Sequence, residues 1–522
     1  MAFARDASLV QAGFNCKQLE TMPRKAVPRP NRRSFLAASA ALAARSALGP
    51  AFGAAAPSSG PVDVVIIGAG AAGIAAARKI AASGRRYLLI EAADHIGGRC
   101  VTDLKSFGVP YDRGAHWIYL PDLNPVTKLA PRRGLDVYPA PQSQKVRIGR
   151  RFAREGELED FLTAQVRATR AIDDVAKKGD IPSAQAMPND LGDWRGTIEF
   201  VLGPYNCAKD LAQVSSFDFA KAAERNAAAF CKQGFGALLG TLAQGLTIQL
   251  ATPAKIIDNR SGITVETAKG AINARTAVVT VPTSVVSSGG LRFSPELGHH
   301  QIDAFGRMSL GSYDHIALEL LGNPLGLESD DLVFEKSADT RTAALLANVS
   351  GTPLCLIDVA GSFGRDLSAQ GEAAMFDFAS EWLAGLYGAE IKKTIGRKHA
   401  TRWNSEPFAL GAWSAAVPGS QFARRQLLEP IADDVWYAGE AAHETLWGTV
   451  GGAWESGERA ADAVLRRLGP LKQSAPAEAE AAPKRKVSHV VTHPRAERPA
   501  PRREATEPQY YGGTPNIMRE ER

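Results

Sequence analysis

Gly68, Gly70 and Gly73 form a GxGxxG turn, and an acid, Glu91, follows 23 positions after Gly68. Those residue types at that spacing suit one piece of chemistry, the binding of a dinucleotide. The first glycine permits a tight turn, the second lets the backbone approach a pyrophosphate, and the third lets a helix pack on a strand. Helix N–H groups then face the phosphate charge, and a carboxylate at Glu91 can accept from a ribose hydroxyl. Far along the chain stands a second stretch rich in glycine and carboxylates, Trp436 to Ala461. It contains Gly439-Glu440, then Gly448-Thr449-Val450-Gly451-Gly452, then a run of good helix formers.

The elements needed to hold these residues are legible around them. Residues 62–67 are mostly β-branched and fit a buried parallel strand; 74–82 favour helix; 87–90 form a second apolar strand ending at Glu91. Residues 435–440 read as another buried strand, and 454–468 as a helix. The segment 155–232 is largely helical by pattern, with no sustained period-two alternation, whereas 316–320 alternates in bulk and reads as a strand.

Composition narrows the class. A chain of 522 residues allows two to four domains, and 45% hydrophobic with 22% charged content allows a large core. The net charge of +6 sits in the ends: residues 1–33 hold seven Lys/Arg against two Asp/Glu, and 471–522 hold ten against seven. The stretch between is slightly acidic, so a nucleic-acid partner is not expected. Five cysteines, none in a CxxC or Cys/His metal spacing, argue against a disulfide framework and against a metal site.

After Glu91 comes Asp94-His95-Ile96-Gly97-Gly98-Arg99, which resembles the GGR stretch of FAD-binding amine oxidases. The YAGE, GTVxGA and SGERAA strings from Tyr437 resemble that family's second FAD motif. Together the residues from about Val62 to Leu468 resemble the flavin-dependent monoamine/polyamine oxidase family. The resemblance implies an α/β fold, with a Rossmann-like FAD-binding domain in three pieces (60–130, 225–310 and 400–470). A second, α+β substrate domain would come from 131–224 and 311–399. It implies that Gly68, Gly70, Ala72, Gly73, Glu91, Gly98 and Arg99 hold the ADP half of FAD, Arg99 through charge on the phosphates. Gly114, Ala115, His116 and Trp117 would belong to the loop over the flavin, and Ala254 to the strand whose backbone meets adenine. Glu440 would bind the ribityl or phosphate region and Gly439, Thr449 and Val450 the ring end, with glycines admitting the flavin ring and the helix N-terminus stabilising charge on the reduced ring.

The chemistry implied is hydride transfer from the carbon of a neutral amine to flavin N5, then imine hydrolysis and reoxidation by oxygen, giving hydrogen peroxide. Three departures from the family pattern matter. Trp413 falls at one wall of the usual aromatic pair, but Thr449 falls at the other, which gives a one-sided cage. Ala412 stands where some members carry a flavin-linking cysteine, so non-covalent FAD is expected, with Cys207, Cys231 and Cys355 in the core. His315 replaces the lysine that holds a water against N5, and a neutral imidazole could hold the same water. Trp117 stands where amino-acid oxidases place a carboxylate-binding arginine, and His116 would face the amine chain. A primary or secondary amine, polyamines included, is therefore the expected substrate. Alternatives on the same scaffold are an amino-acid oxidase or tryptophan 2-monooxygenase, a dehydrogenase using a redox protein, or a flavin-binding protein without turnover.

The ends carry their own signals. Asn31-Arg32-Arg33-Ser34-Phe35-Leu36 and the apolar run to about Ala56 resemble a twin-arginine export signal over 1–57, with Met22 an alternative start. A translocase partner and a periplasmic address follow from it. Residues 472–522, rich in Ala, Pro, Glu, Lys and Arg, read as a disordered tail.

Overall fold

The structure is a computed structural model that describes residues 61–471, apart from 142–143, 224, 226 and 421. The expected export segment and tail lie outside the described residues. Among the described residues no helix is long and apolar enough to cross a membrane.

Strand Val62–Ile67 is an interior strand of a nine-stranded sheet. From Val64 onward its residues divide by parity. Val64 and Ile66 enter one core with Ile74, Trp454 and Ala461, while Val65 and Ile67 enter another with Phe305 and Val435. A strand covered on both faces has no polar side, which is why the sequence shows a continuous apolar run there. Tyr87–Ile90 and Gly270–Val279 flank it in parallel, and Val435–Tyr437 lies parallel beyond Gly270–Val279. In that register Ile90 pairs with Ile67, Ile67 with Val279, and Val279 with Tyr437. Four strands therefore end level, and Gly68, Glu91, Thr280 and Gly439 leave the sheet near one edge.

Helix Ala71–Ala82 begins three residues before the expected start, because Gly70 is extended and ends the strand turn at once. Helix Val450–Leu468 likewise begins one turn early. Its N-cap is Thr449, whose Oγ1 accepts from the Gly452 N–H at 2.9 Å. The two helices touch through small residues: a Cβ on Gly457 would lie 2.1 Å from the Ala72 carbonyl oxygen.

A second, seven-stranded sheet is mainly antiparallel and contains Gln144–Ile148, Tyr313–Leu320, Leu354–Ala360 and Ile395–Ala400. The expected strand at 316–320 is the end of a longer one. Helix Glu155–Ala176 fits the helical reading of 155–232, but Ala228–Cys231 is a strand, pairing with Ile118–Tyr119 and Val137–Pro139. Its four residues are all buried, so it shows no alternation from which a strand could be read. The fold is thus a Rossmann-like α/β layer joined to a second α+β layer, and the described residues to Pro470 pack as one unit.

Candidate functional site

A cavity of about 390 Å³ opens along the level strand ends. Gly68, Gly70, Ala72, Glu91, Gly98, Arg99, Gly114, Ala115, His116, Trp117, Ala254, His315, Trp413, Gly439, Glu440, Thr449 and Val450 all line it. Gly73 does not, since it packs the helix down: its Cβ would stand 1.8 Å from the Gly68 carbonyl oxygen. Gly70 is the opposite case, with the nearest atom to an added Cβ at 3.9 Å. Bare backbone therefore faces the cavity at Gly70, which fits the approach of a pyrophosphate. Glu91 is held by the N–H groups of Ala69 (2.6 Å) and Ala93 (2.9 Å), so the acid sits beside the glycine turn.

Several expected roles change. Arg99 does not offer a free charge to phosphates: its Nη1 donates to Glu440 at 3.0 Å and to the Ala412 carbonyl. Glu440 is equally committed. Its oxygens accept from Arg99, from the Ser414 N–H and hydroxyl, and from the Gly448 N–H. The carboxylate ties three loops together instead of reaching for a ligand. Thr449 lines the cavity, but its hydroxyl is already engaged: it caps the helix and donates to the Leu446 carbonyl at 2.7 Å. Gly448 and Gly452 are demanded by the protein itself: added Cβ atoms would meet Trp413 Cδ1 at 2.6 Å and the Leu446 carbonyl oxygen at 2.2 Å.

His315 departs furthest from expectation. Its Nδ1 lies 2.6 Å from Asp358 Oδ1 and its Nε2 lies 2.9 Å from the Gly114 carbonyl oxygen. Both partners are acceptors, so both ring nitrogens donate and neither is free to hold a water. The strand register places His315 directly opposite Asp358, and the Tyr313 hydroxyl donates to the other Asp358 oxygen at 2.7 Å. Burial pushes the His315 pKa down, but the Asp358 charge and the two hydrogen bonds outweigh it and leave it raised. The residue is an imidazolium clamp between the second sheet and the Gly114 loop, not a neutral water holder.

His116 is buried, stacks on Phe230 with ring centroids 4.4 Å apart, and donates from Nδ1 to Asp112 Oδ2 at 2.9 Å. Asp112 also accepts from the N–H groups of Phe235 and Gly236 at a helix start. His116 Nε2 and Trp413 Nε1 are buried polar atoms without protein partners.

Trp413 sits on a loop pinned from several sides. Its carbonyl accepts from the Gly311 N–H at 2.8 Å. Asp218 accepts from the Ala416 N–H and forms a buried two-oxygen pair with Arg424. Further rings extend the aromatic lining beyond Trp413. Trp413 meets Tyr313 at 4.9 Å, Tyr313 meets Tyr205 at 6.0 Å, and Trp117 stacks with Tyr119 at 6.4 Å. All five rings line the cavity. Asp112 opens the loop that the resemblance lays over the flavin, whereas Tyr119, Tyr205, Arg225 and Asp358 were not singled out in the sequence, because no local motif marks them. Ala412 is buried in the lining, Cys207, Cys231 and Cys355 are buried free thiols, and Cys100 joins them. Among the described residues no group of three or more His, Cys, Asp or Glu could hold a metal ion.

Comparison with known proteins agrees with this arrangement. The family model described as flavin containing amine oxidoreductase matches residues 71–229 and 189–465. Polyamine oxidase 2 of Arabidopsis thaliana is 27% identical over 426 residues, covering 75% of this chain and 85% of that protein. Two solved structures share the fold. Cyclohexylamine oxidase from Brevibacterium oxydans IH-35A has a TM-score of 0.66 at 20% identity, covering 78% of this chain and 100% of that one. Wild-type putrescine oxidase bound to putrescine has a TM-score of 0.64 at 18% identity, covering 77% and 99%.

Proposed function

The chain belongs to the flavin containing amine oxidoreductase family, and on that premise we propose that it oxidises a primary or secondary amine with non-covalently bound FAD, oxygen serving as the final acceptor and hydrogen peroxide as the product. It is an amine-acting oxidoreductase; the mode of FAD attachment, the acceptor and the cellular address are the proposed parts. The observation that carries the reading is the continuity of one cavity, from open backbone at Gly70 and the acid Glu91 to a wall of aromatic rings around Trp413.

The residues present fit FAD. The Gly68–Gly73 turn and the N-terminus of helix Ala71–Ala82 suit its phosphates, Glu91 its ribose, and Ala254 its adenine. Gly439 and the N-terminus of helix Val450–Leu468 suit the ring end. Bound there, FAD supplies the acceptor for a hydride equivalent. With Ala412 at the position where some family members carry a linking cysteine, and the thiols of Cys207, Cys231 and Cys355 buried in packed cores, a covalent link at that position is not expected. The rings of Trp413, Tyr313 and Tyr205 orient the amine and exclude water, which favours its uncharged, reactive form. The imidazolium of His315 holds the Gly114 loop against the second sheet. The sheet containing Val62–Ile67 forms the cofactor part of this proposal, and the sheet containing Tyr313–Leu320 the substrate part.

Export through the twin-arginine route suits such a protein, because a cofactor site assembled from distant segments must fold before it binds FAD. The deciding experiment is anaerobic titration of the purified, yellow protein with amines, followed by air. Bleaching by an amine and recovery of colour with peroxide release are expected. Bleaching that air does not reverse would move the acceptor to a redox protein. A yellow protein that no amine bleaches would leave only a flavin-binding role.

A further inference from the structure

The aromatic part of the cavity carries a charge pattern that bears on substrate choice. Three carboxylates line the cavity, and each already has partners. Glu91 holds two backbone N–H groups, Glu440 accepts from four donors, and Glu406 pairs with Arg113 at 3.8 Å. Asp358 lies behind the wall with its oxygens taken by Tyr313 and His315. The phenols of Tyr119, Tyr205 and Tyr313 stay neutral, because burial raises their pKa values.

Arg225 is the contrary charge. It lines the same part of the cavity, donates to the carbonyls of Asn206 (3.3 Å) and Trp447 (2.7 Å), and has no carboxylate within ion-pair distance among the described residues. Its guanidinium lies over Tyr119 at 5.1 Å and over Trp447 at 5.0 Å. Of these two rings Tyr119 lines the cavity, and its face is where a second ammonium would otherwise find a cation–π site; the protein's own cation fills it.

Resting on the amine-oxidase reading, we propose that this part of the cavity accepts one ammonium only, that the substrate is a monoamine with an uncharged apolar body, and that Arg225 is the specificity-determining residue that rejects diamines and polyamines. Trp413, Tyr313 and Tyr205 surround the reacting amine, and the remainder of the molecule extends over Trp117 and Tyr119 toward Arg225. A second positive charge placed there meets like charge with no counter-ion, a penalty on the order of tenfold to a hundredfold in kcat/KM.

The test uses the full FAD-loaded protein and reads the ratio of kcat/KM for cyclohexylamine and benzylamine to that for putrescine and spermidine, with phenylalanine as an anionic third arm. The expected result is a ratio of at least roughly tenfold in favour of the monoamines. Arg225→Glu should shrink that ratio by about tenfold or more, and a ratio cancels any general loss of activity in the variant. If that variant fails to retain FAD, Arg225→Gln is read in its place, and an unchanged ratio in a variant that holds FAD overturns the role of Arg225. Equal or faster turnover of putrescine, or preference for phenylalanine, overturns the inference while leaving amine oxidation in place. Absence of bleaching by every arm overturns the amine-oxidase reading itself.

Discussion

At the scale of single residues, partners decide roles more than identity does. His315 stands where a water-holding lysine is usual, yet its two acceptors make it a charged clamp. Its raised pKa has a definite consequence for stability. The fold binds this proton more tightly than the unfolded chain does. The contribution is therefore complete below about pH 6.5 and lost as pH rises through the higher folded value. Asp358→Asn should cost about 3–5 kcal/mol at acid pH, as expected for breaking a buried pair. The gap in Tm between variant and wild type should narrow toward alkaline pH. A gap that is constant with pH would mean that His315 is not charged in the fold. The histidine itself was visible in the sequence, but Asp358 lies 43 positions away and is brought opposite it only by strand register.

Elements convert motifs into geometry, and the two inner glycines of the first turn show how differently one motif can be used. Gly73→Ala drives a Cβ against the Gly68 carbonyl and should cost about 1–3 kcal/mol or more by thermal or denaturant unfolding. Gly70→Ala meets open space, so the fold should keep its Tm without added flavin while FAD dissociates more readily, seen as faster loss of yellow colour on dilution. The reverse pattern would mean that the cavity does not hold the cofactor at Gly70. The loop carrying Trp413 depends on a different element, the buried Arg424–Asp218 pair. Asp218→Ala strands the guanidinium and should destabilise by about 3–5 kcal/mol, measured by urea unfolding. The sequence supplied the glycine turns, the first strands and both cofactor-side helices. It missed the strand Ala228–Cys231, whose wholly buried run carries no periodicity.

For the whole molecule, the question is where it works and when its cofactor enters. Replacing Arg32 and Arg33 by lysine should retain the protein, yellow and folded, in the cytoplasm, as judged by cell fractionation. Export that continues unchanged would remove the twin-arginine proposal. The cavity draws lining residues from Ile67 to Ala453, so those distant segments have to be folded together before FAD binds.

What the sequence determined by itself was the class of cofactor chemistry. Glycine spacing, β-branched runs and acids at strand ends are local requirements of a dinucleotide turn, and local requirements leave local marks. What only the tertiary structure decided was the character of the reacting end. Tyr205 from a helix end, Arg225 from a loop, and Tyr313 and Asp358 from paired strands come near one cavity only in the folded chain. The protonation of His315, the commitment of Glu440 and Arg99 to each other, and the charge that a substrate encounters all depend on which groups are neighbours in space, and separation along the chain does not record that.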